Sequence, residues 1–212
     1  MNTTPGLLRR YTDIPSLLYL LHSKCITLLD PSSWDDTNDS YFLLKYKEKK
    51  KLQSVLALCL TQTDETYHHW RVFAEGASGA CIVFDKAALL DALSRVDGVL
   101  TGCVDYQRVR EMRKRDKPLT LNELPFIKRA GFMPEAEFRL LYTSAVESLK
   151  FLDLPVPLNS ILEVRLSPWL NTRLRKCLKE TIRSIPGCSD LEINRSTLVG
   201  NLTWKKYGDR AA

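Results

Sequence analysis

The stretch Phe126-Ile-Lys-Arg-Ala-Gly-Phe-Met-Pro-Glu-Ala-Glu-Phe-Arg-Leu-Leu-Tyr-Thr143 decides the fold. Phe138, Leu140 and Tyr142 alternate with Glu137, Arg139 and Leu141, the two-residue period of a half-buried strand entered from a Gly/Pro turn. Glu137 and Arg139 therefore point to one face. Two charges at a strand start form either a solvated salt bridge or part of an active site. The flanking sequence has to decide between these.

Upstream, Leu7 to Asp13 reads as a strand whose Thr12 or Asp13 caps a helix to about Lys24, with Pro15 in its first turn and Ile14, Leu17, Leu18 and Leu21 inward. Cys25–Asp30 is a second strand. Pro31–Asp39, rich in turn formers and carboxylates, presents Trp34 beside Asp35, Asp36 and Asp39. The glycine and distal glutamate of a calcium loop are missing there, so the loop is expected to cap the helix Tyr41–Gln53. Ser54–Thr61 and Gly79–Asp85 read as buried strands, with a helix Glu65–Glu75 between them and another, Lys86–Val96, after them. His68 and His69 diverge by about 100° on a helix and do not suit one metal ion.

Val99–Tyr106 is expected to be a strand, Arg108–Lys117 a basic exposed segment, and Leu119–Ala130 a helix or helical turn interrupted at Pro125. Beyond the central strand come a strand Ile161–Leu166 and a helix Trp169–Ile185, with Leu170, Leu174, Cys177, Leu178, Ile182 and Ile185 inward and Arg173, Arg175, Lys176, Lys179 and Arg183 outward. A short strand 191–196 and a loosely held tail from Gly200 follow. About seven strands and five helices without βαβα alternation predict a single α+β domain over 1–212, a mixed or antiparallel sheet with flanking helices. Its core spans about 7–166, and the basic helix and tail span 167–212.

Composition narrows the function classes. With 44% hydrophobic and 26% charged residues, the 212-residue chain is globular. No apolar run approaches the roughly 18 residues of a membrane span, and Met1–Gly6 lacks a signal sequence, so a cytoplasmic protein without membrane contact is expected. The six cysteines form no CxxC, and most lie in apolar runs where cysteine acts as a small hydrophobe. The net charge of +6 gathers in Lys45–Lys51, Arg108–Lys117 and Arg173–Arg183, as for a protein that meets a polyanion such as nucleic acid or for a mildly basic protein whose charge only keeps it in solution. Phosphate-binding GxGxxG and GxxxxGK[ST] loops are absent, and no histidine stands in a nucleophile motif.

What remains is Glu135-Ala-Glu137, with arginines able to hold phosphate and aromatic planes able to stack, the parts needed to bind a dinucleotide and stabilise an oxocarbenium-like sugar. Trp70, Phe73 and Ala74 read as core, or else His69, Trp70 and Arg71 offer a hydrogen-bonding ring, a stacking plane and a fixed charge for such a pocket.

The order Trp34-Asp-Asp-x-Asn-Asp39, His68-His-Trp-Arg-Val-Phe-Ala74, Gly79-Ala-Cys-Ile-Val-Phe-Asp85, Phe126-Ile-Lys-Arg129 and Glu135-Ala-Glu-Phe-Arg139 resembles an uncharacterised bacterial domain family, over about residues 7–166. More distantly, Arg10-Tyr-Thr12 and Ala136-Glu137-Phe-Arg-Leu140 are similar to the first-strand and late-strand motifs of ADP-ribosyltransferases, particularly toxins that modify DNA or RNA. Arg10 stands where those toxins have histidine. The resemblance implies an ADP-ribosyltransferase-like fold and NAD as substrate. It implies Glu137 as the catalytic carboxylate on the nicotinamide ribose, with Glu135 the alternative. It further implies that Arg10 and Thr12 hold NAD, that Tyr11 or Trp70 stacks on it, that Arg71 neutralises pyrophosphate, and that Trp34 and His69 complete the cofactor site.

The expected function is thus NAD-dependent ADP-ribosylation of nucleic acid or protein by a toxin or phage-defence effector, with an antitoxin or other bacterial protein as partner. A non-catalytic module that binds nucleic acid or protein through its basic helices is the alternative. A metal-dependent nuclease would need Asp35, Asp36 and Glu135 to converge.

Overall fold

A computed structural model describes residues 6–74 and 76–211. Among them lie eleven strands and seven α-helices: β1 Leu7–Asp13, α1 Ile14–Ser23, β2 Cys25–Leu29, α2 Thr37–Lys49, β3 Ser54–Thr61, α3 Tyr67–Val72, β4 Gly79–Asp85, α4 Lys86–Leu93, β5 Val99–Cys103, β6 Asp105–Gln107, α5 Val109–Arg113, β7 Ile127–Arg129, β8 Glu137–Ser144, β9 Phe151–Pro155, β10 Ile161–Leu166, α6 Thr172–Arg183, β11 Glu192–Arg195 and α7 Leu202–Asp209. The class is α+β, as expected: a mixed sheet flanked by helices.

The main sheet runs β11-β10-β4-β1-β3-β8-β5, and β2-β9 joins it at β3. All its pairings are antiparallel except β10 with β11. The branch at β3 shapes the molecule. Along one edge β3 pairs with β8 over its full length, Ser54↔Ser144 to Thr61↔Glu137. It also meets β1 only at Arg9↔Thr61 and β2 only at Leu29↔Ala57. The sheet splits between those two points, and a cleft opens beside Thr61.

Side-chain alternation sends the apolar residues to opposite faces. Leu8, Ile82, Phe84, Leu56, Phe138, Leu140 and Val164 bury one face in the main core, closed by α1 through Leu17, Leu20 and Leu21 and by Ile182 of α6. The other face carries two smaller clusters, one around Leu43, Tyr46 and Leu141, the other around Tyr11, Trp70 and Cys81. Glu137 and Arg139 lie between these two clusters.

Capping explains most boundary differences. Asp36 accepts from the Asn38 and Asp39 amides, so α2 begins at Thr37 rather than Tyr41. Thr66 caps α3, which starts two residues later and ends three residues earlier than expected, and its expected last residue, Glu75, lies outside the described residues. Asn171 caps α6 at Thr172 rather than Trp169. In that helix Leu174 and Cys177, expected inward, are exposed, because only its C-terminal half meets the core.

Residues 119–130 form no α-helix, and of the expected helix or helical turn there is a 3-10 turn at Leu124–Phe126, which leads into β7, paired in parallel with β6 as a separate ribbon. Pro125 and the extended preference of the residue before it disfavour the α form there. The expected strand 99–106 is divided at Val104, the tail from Gly200 contains α7, and β9 pairs with β2 without having been foreseen.

Gly79 is required where it stands. A Cβ at this first residue of β4 would lie 2.0 Å from the Ala74 carbonyl oxygen.

Candidate active site

The register Thr61↔Glu137 and Cys59↔Arg139 places the first turn of β8 at the split. Glu137 is preceded by Ala136 in the left-handed conformation, φ 43° and ψ 50°, which is costly for a residue with a Cβ. Backbone contacts hold this turn. Gln62 N–H donates to the Ala136 carbonyl at 3.0 Å, and the Thr61 hydroxyl donates to the Glu135 carbonyl. The Tyr106 hydroxyl accepts from the Glu137 amide at 2.8 Å.

Beyond the turn lies a buried ion cluster. Arg139, wholly inaccessible, forms a two-pronged pair with Asp39 at 2.9 and 2.7 Å, donates from Nε to Glu137 Oε1 at 2.7 Å, and donates to the Pro125 carbonyl at 2.9 Å. Its guanidinium lies 5.3 Å from the Trp34 ring centroid. Lys128 Nζ donates to Glu135 Oε2 at 2.7 Å and to Glu137 Oε2 at 3.2 Å, and stands 3.6 Å from Asp39. Three carboxylates from a helix, a turn and a strand thus share two cations.

Their acidities separate. Burial pushes Asp39 above the ordinary carboxylate range despite Arg139, and pushes Glu135 up despite Lys128. Glu137 is also desolvated, yet the Arg139 pair, with Lys128, outweighs burial and holds it below its ordinary value. Of the three, Glu137 is therefore the last to accept a proton. The neighbouring Cys59 thiol is pushed well up by burial and by the Glu137 charge, so it stays protonated.

Glu135 and Glu137 open onto a narrow cavity of about 70 Å³, lined across the split by Arg9 and Tyr11 of β1 and by His69 and Phe73. Arg9 is buried and holds the Thr63 carbonyl and Asp64, each at 2.9 Å. Tyr11 and His69 stack with centroids 5.0 Å apart. His69 Nδ1 lies 2.6 Å from the Thr66 hydroxyl and Nε2 lies 3.4 Å from the Glu135 carbonyl. A carbonyl can only accept, so this contact puts a proton on Nε2, and burial of the ring makes it the one ring proton. Burial lowers His69 to about 4, in keeping with that assignment.

The structure brings Glu137, Glu135, Tyr11 and His69 together as the sequence proposed, and sets others apart. Arg10 and Thr12 lie on the opposite face of β1 from Arg9 and Tyr11, beside Ile82 and Ala80 of the main-core face. Trp70 is fully buried, donates to Glu65 at 2.8 Å and meets Tyr11 edge-on at 5.2 Å, so its faces are closed to a ligand. Arg71 turns away to stack on Trp169 at 4.2 Å. Trp34 backs Arg139 rather than lining the cavity. Asp35, Asp36 and Glu135 do not converge, for Asp36 caps α2, and among the described residues no group of three or more His, Cys, Asp or Glu is placed to hold a metal ion.

Sequence reading missed Arg9, Lys128 and Asp39. The period-two rule in β1 pairs Arg9 with Tyr11 and offered a signal for the first. Lys128 stands in the Phe126-Ile-Lys-Arg129 motif, but its segment read as a helix or helical turn and gave no sign that it faces Glu135 and Glu137.

No protein-family model matches the chain, and no curated protein does. Solved structures similar to it include Thermus sp. 2.9 DarT in complex with ADP-ribosylated ssDNA, 11% identical over 91% of this chain and 94% of that one, with a TM-score of 0.47. The same protein in complex with NAD+ is 10% identical over 92% and 98%, with a TM-score of 0.47.

Proposed function

We propose that the chain is an NAD-dependent ADP-ribosyltransferase that modifies nucleic acid or protein. The observation that carries this reading is Glu137, a buried carboxylate kept ionised by Arg139 and Lys128 on the wall of a cleft whose other wall supplies Arg9, Tyr11 and His69. The residue set suits NAD at its charged and planar parts: a guanidinium for phosphate, stacked rings for nicotinamide, a fixed anion for the ribose.

In the reaction the bond between nicotinamide and ribose C1′ breaks, its electron pair leaving on nicotinamide. A nitrogen or oxygen of the acceptor bonds to C1′ and releases its proton. Positive charge develops on the sugar in between, and Glu137 is the preorganised counter-charge for it. Arg139 fixes one carboxylate oxygen and Lys128 the other, so the anion needs no reorganisation when the charge appears. Arg9 takes the phosphate-binding role that the motif resemblance assigned to Arg10, because it is the arginine of β1 that faces the cleft. The role as toxin or phage-defence effector, and an antitoxin partner, rest on the motif resemblance alone.

The test is incubation with labelled NAD and, separately, single-stranded RNA, single-stranded DNA and cell lysate. Glu137→Gln is expected to lower label transfer by about 10²–10³-fold, the cost of removing one preorganised electrostatic group, and Glu135→Gln by less. Label transfer to no acceptor, with no NAD bound by the wild type, would sink the transferase reading and leave a module that binds through its basic helices.

A further inference from the structure

On its Asp39 side the ion cluster opens onto a second cavity, of about 270 Å³. Phe42 of α2, Val109 and Met112 of α5 and Ile127 of β7 give it an apolar lining, and the amides of Asn38 and Gln107 stand among them. Lys128 lines both this cavity and the cleft, so a molecule in either meets the same side chain.

Three properties describe the occupant. An aromatic ring and a thioether suit a planar, polarisable group. The Asn38 and Gln107 amides each give one N–H to a neighbouring carboxylate, Asp36 at 3.3 Å and Asp105 at 2.7 Å, and the second N–H and the oxygen of each suit the edge of a heterocycle carrying both kinds of group. At the mouth, Arg129 joins the cavity lining, and the exposed Arg108, Arg110, Arg113 and Lys114 follow directly from β6 through α5, a density of positive charge suited to a phosphate chain.

We propose that this cavity holds one unpaired base of a single-stranded nucleic acid, its backbone lying on the α5 cations. A base in a duplex is stacked and paired on the edges the amides would read, so a single strand or a flipped base is required. Placed there, the base stands across Lys128 from Glu137, where the acceptor of a transfer belongs. That last assignment rests on the transferase reading, and the base site itself does not.

The experiment compares fluorescence anisotropy of labelled ten-nucleotide single strands of DNA and RNA with that of an abasic strand of equal length and charge, for the wild type and for Val109→Trp, which fills the mouth of the cavity. The wild type is expected to bind base-containing strands about tenfold more tightly than the abasic one, as for one stacked base. Val109→Trp is expected to erase that difference, leave the weaker backbone binding, and keep the wild-type unfolding midpoint. Equal wild-type affinity for abasic and base-containing strands overturns the proposal, whatever the variant does. So does a base preference that survives in folded Val109→Trp. Calorimetric titration of the wild type with NAD separates the two readings: base preference without NAD binding keeps the cavity and rejects the transferase, and NAD binding without base preference does the reverse.

Discussion

His69 both lines the cleft and holds the turn beside it. Its ring is stacked on Tyr11 and bonded at both nitrogens, which fixes the Glu135 carbonyl and so the turn that delivers Glu137. Burial away from water disfavours the charged ring although the Glu135 carbonyl favours it, and pH reports the balance. In the folded chain His69 takes up a proton near 4, against an ordinary value near 6.5. Between those values the unfolded chain binds a proton that the folded chain refuses, so stability falls as pH drops through about 6.5 towards 4, then levels off. Asp39 and Glu135, with raised values, act in the opposite sense, and Glu137, with a lowered one, in the same sense. Subtracting a His69→Gln variant isolates the histidine. Urea unfolding from pH 7 to pH 4 is expected to cost the wild type roughly 2–3 kcal/mol more than the variant. Parallel pH profiles would mean that His69 is protonated in the folded protein. Sequence offered His69 as a hydrogen-bonding ring for a pocket, and the structure puts it on the cleft wall beside Tyr11. The sequence had no means of showing that the bond at Nε2 runs to a backbone carbonyl 66 residues away.

Among the elements, α2 and β8 depend on each other. Asp39 in the first turn of α2 reaches a guanidinium 100 residues later, with both charges shut from water. Such a pair is weak evidence of net stabilisation, but breaking it strands a buried charge. Asp39→Ala is therefore expected to destabilise the fold by about 3–5 kcal/mol, and Asp39→Asn by less, since an amide oxygen still accepts from Arg139. Denaturant titration of both variants checks this, and similar small losses for the two would show that water reaches Arg139. This contact also marks how far the sequence could be read. The alternation in β8 was legible, and so was the shared face of Glu137 and Arg139, because period two is local. The Trp34–Asp39 loop read as a cap, and Asp36 is one. But a carboxylate three residues past a cap looks like ordinary first-turn charge, and only the long-range packing of α2 on the Glu137–Arg139 face of β8 turns Asp39 into a ligand of the site. β7, which carries Lys128, fell inside a segment read as a helix or helical turn for the same reason: its ribbon partner, β6, is 22 residues away.

At the scale of the molecule, the basic zones that looked alike in sequence lie in different places. The sheet order puts β10 and β11 at one end, where Lys179 of α6 donates to the Ile193 carbonyl, and β8 and β5 at the other, whose Glu137 end adjoins the two cavities. The α5 segment lines the second cavity, and α6 lines neither. The two zones should therefore contribute unequally to nucleic-acid binding, although each exposes several cations. Binding of a single strand releases counterions, and the slope of log affinity against log salt is about −0.7 for each phosphate neutralised. Replacing Arg110, Arg113 and Lys114 with alanine removes three such contacts and is expected to make the slope shallower by about 2. Replacing Arg173, Arg175 and Lys176 on α6 removes the same formal charge, and so controls for the general attraction of a chain of net charge +6. Its slope is expected to stay near that of the wild type. If the α6 variant flattens the salt dependence and the α5 variant does not, the strand runs along the β10–β11 end, away from Glu137, and nucleic acid then meets this protein as a ligand of its basic helix rather than as an acceptor.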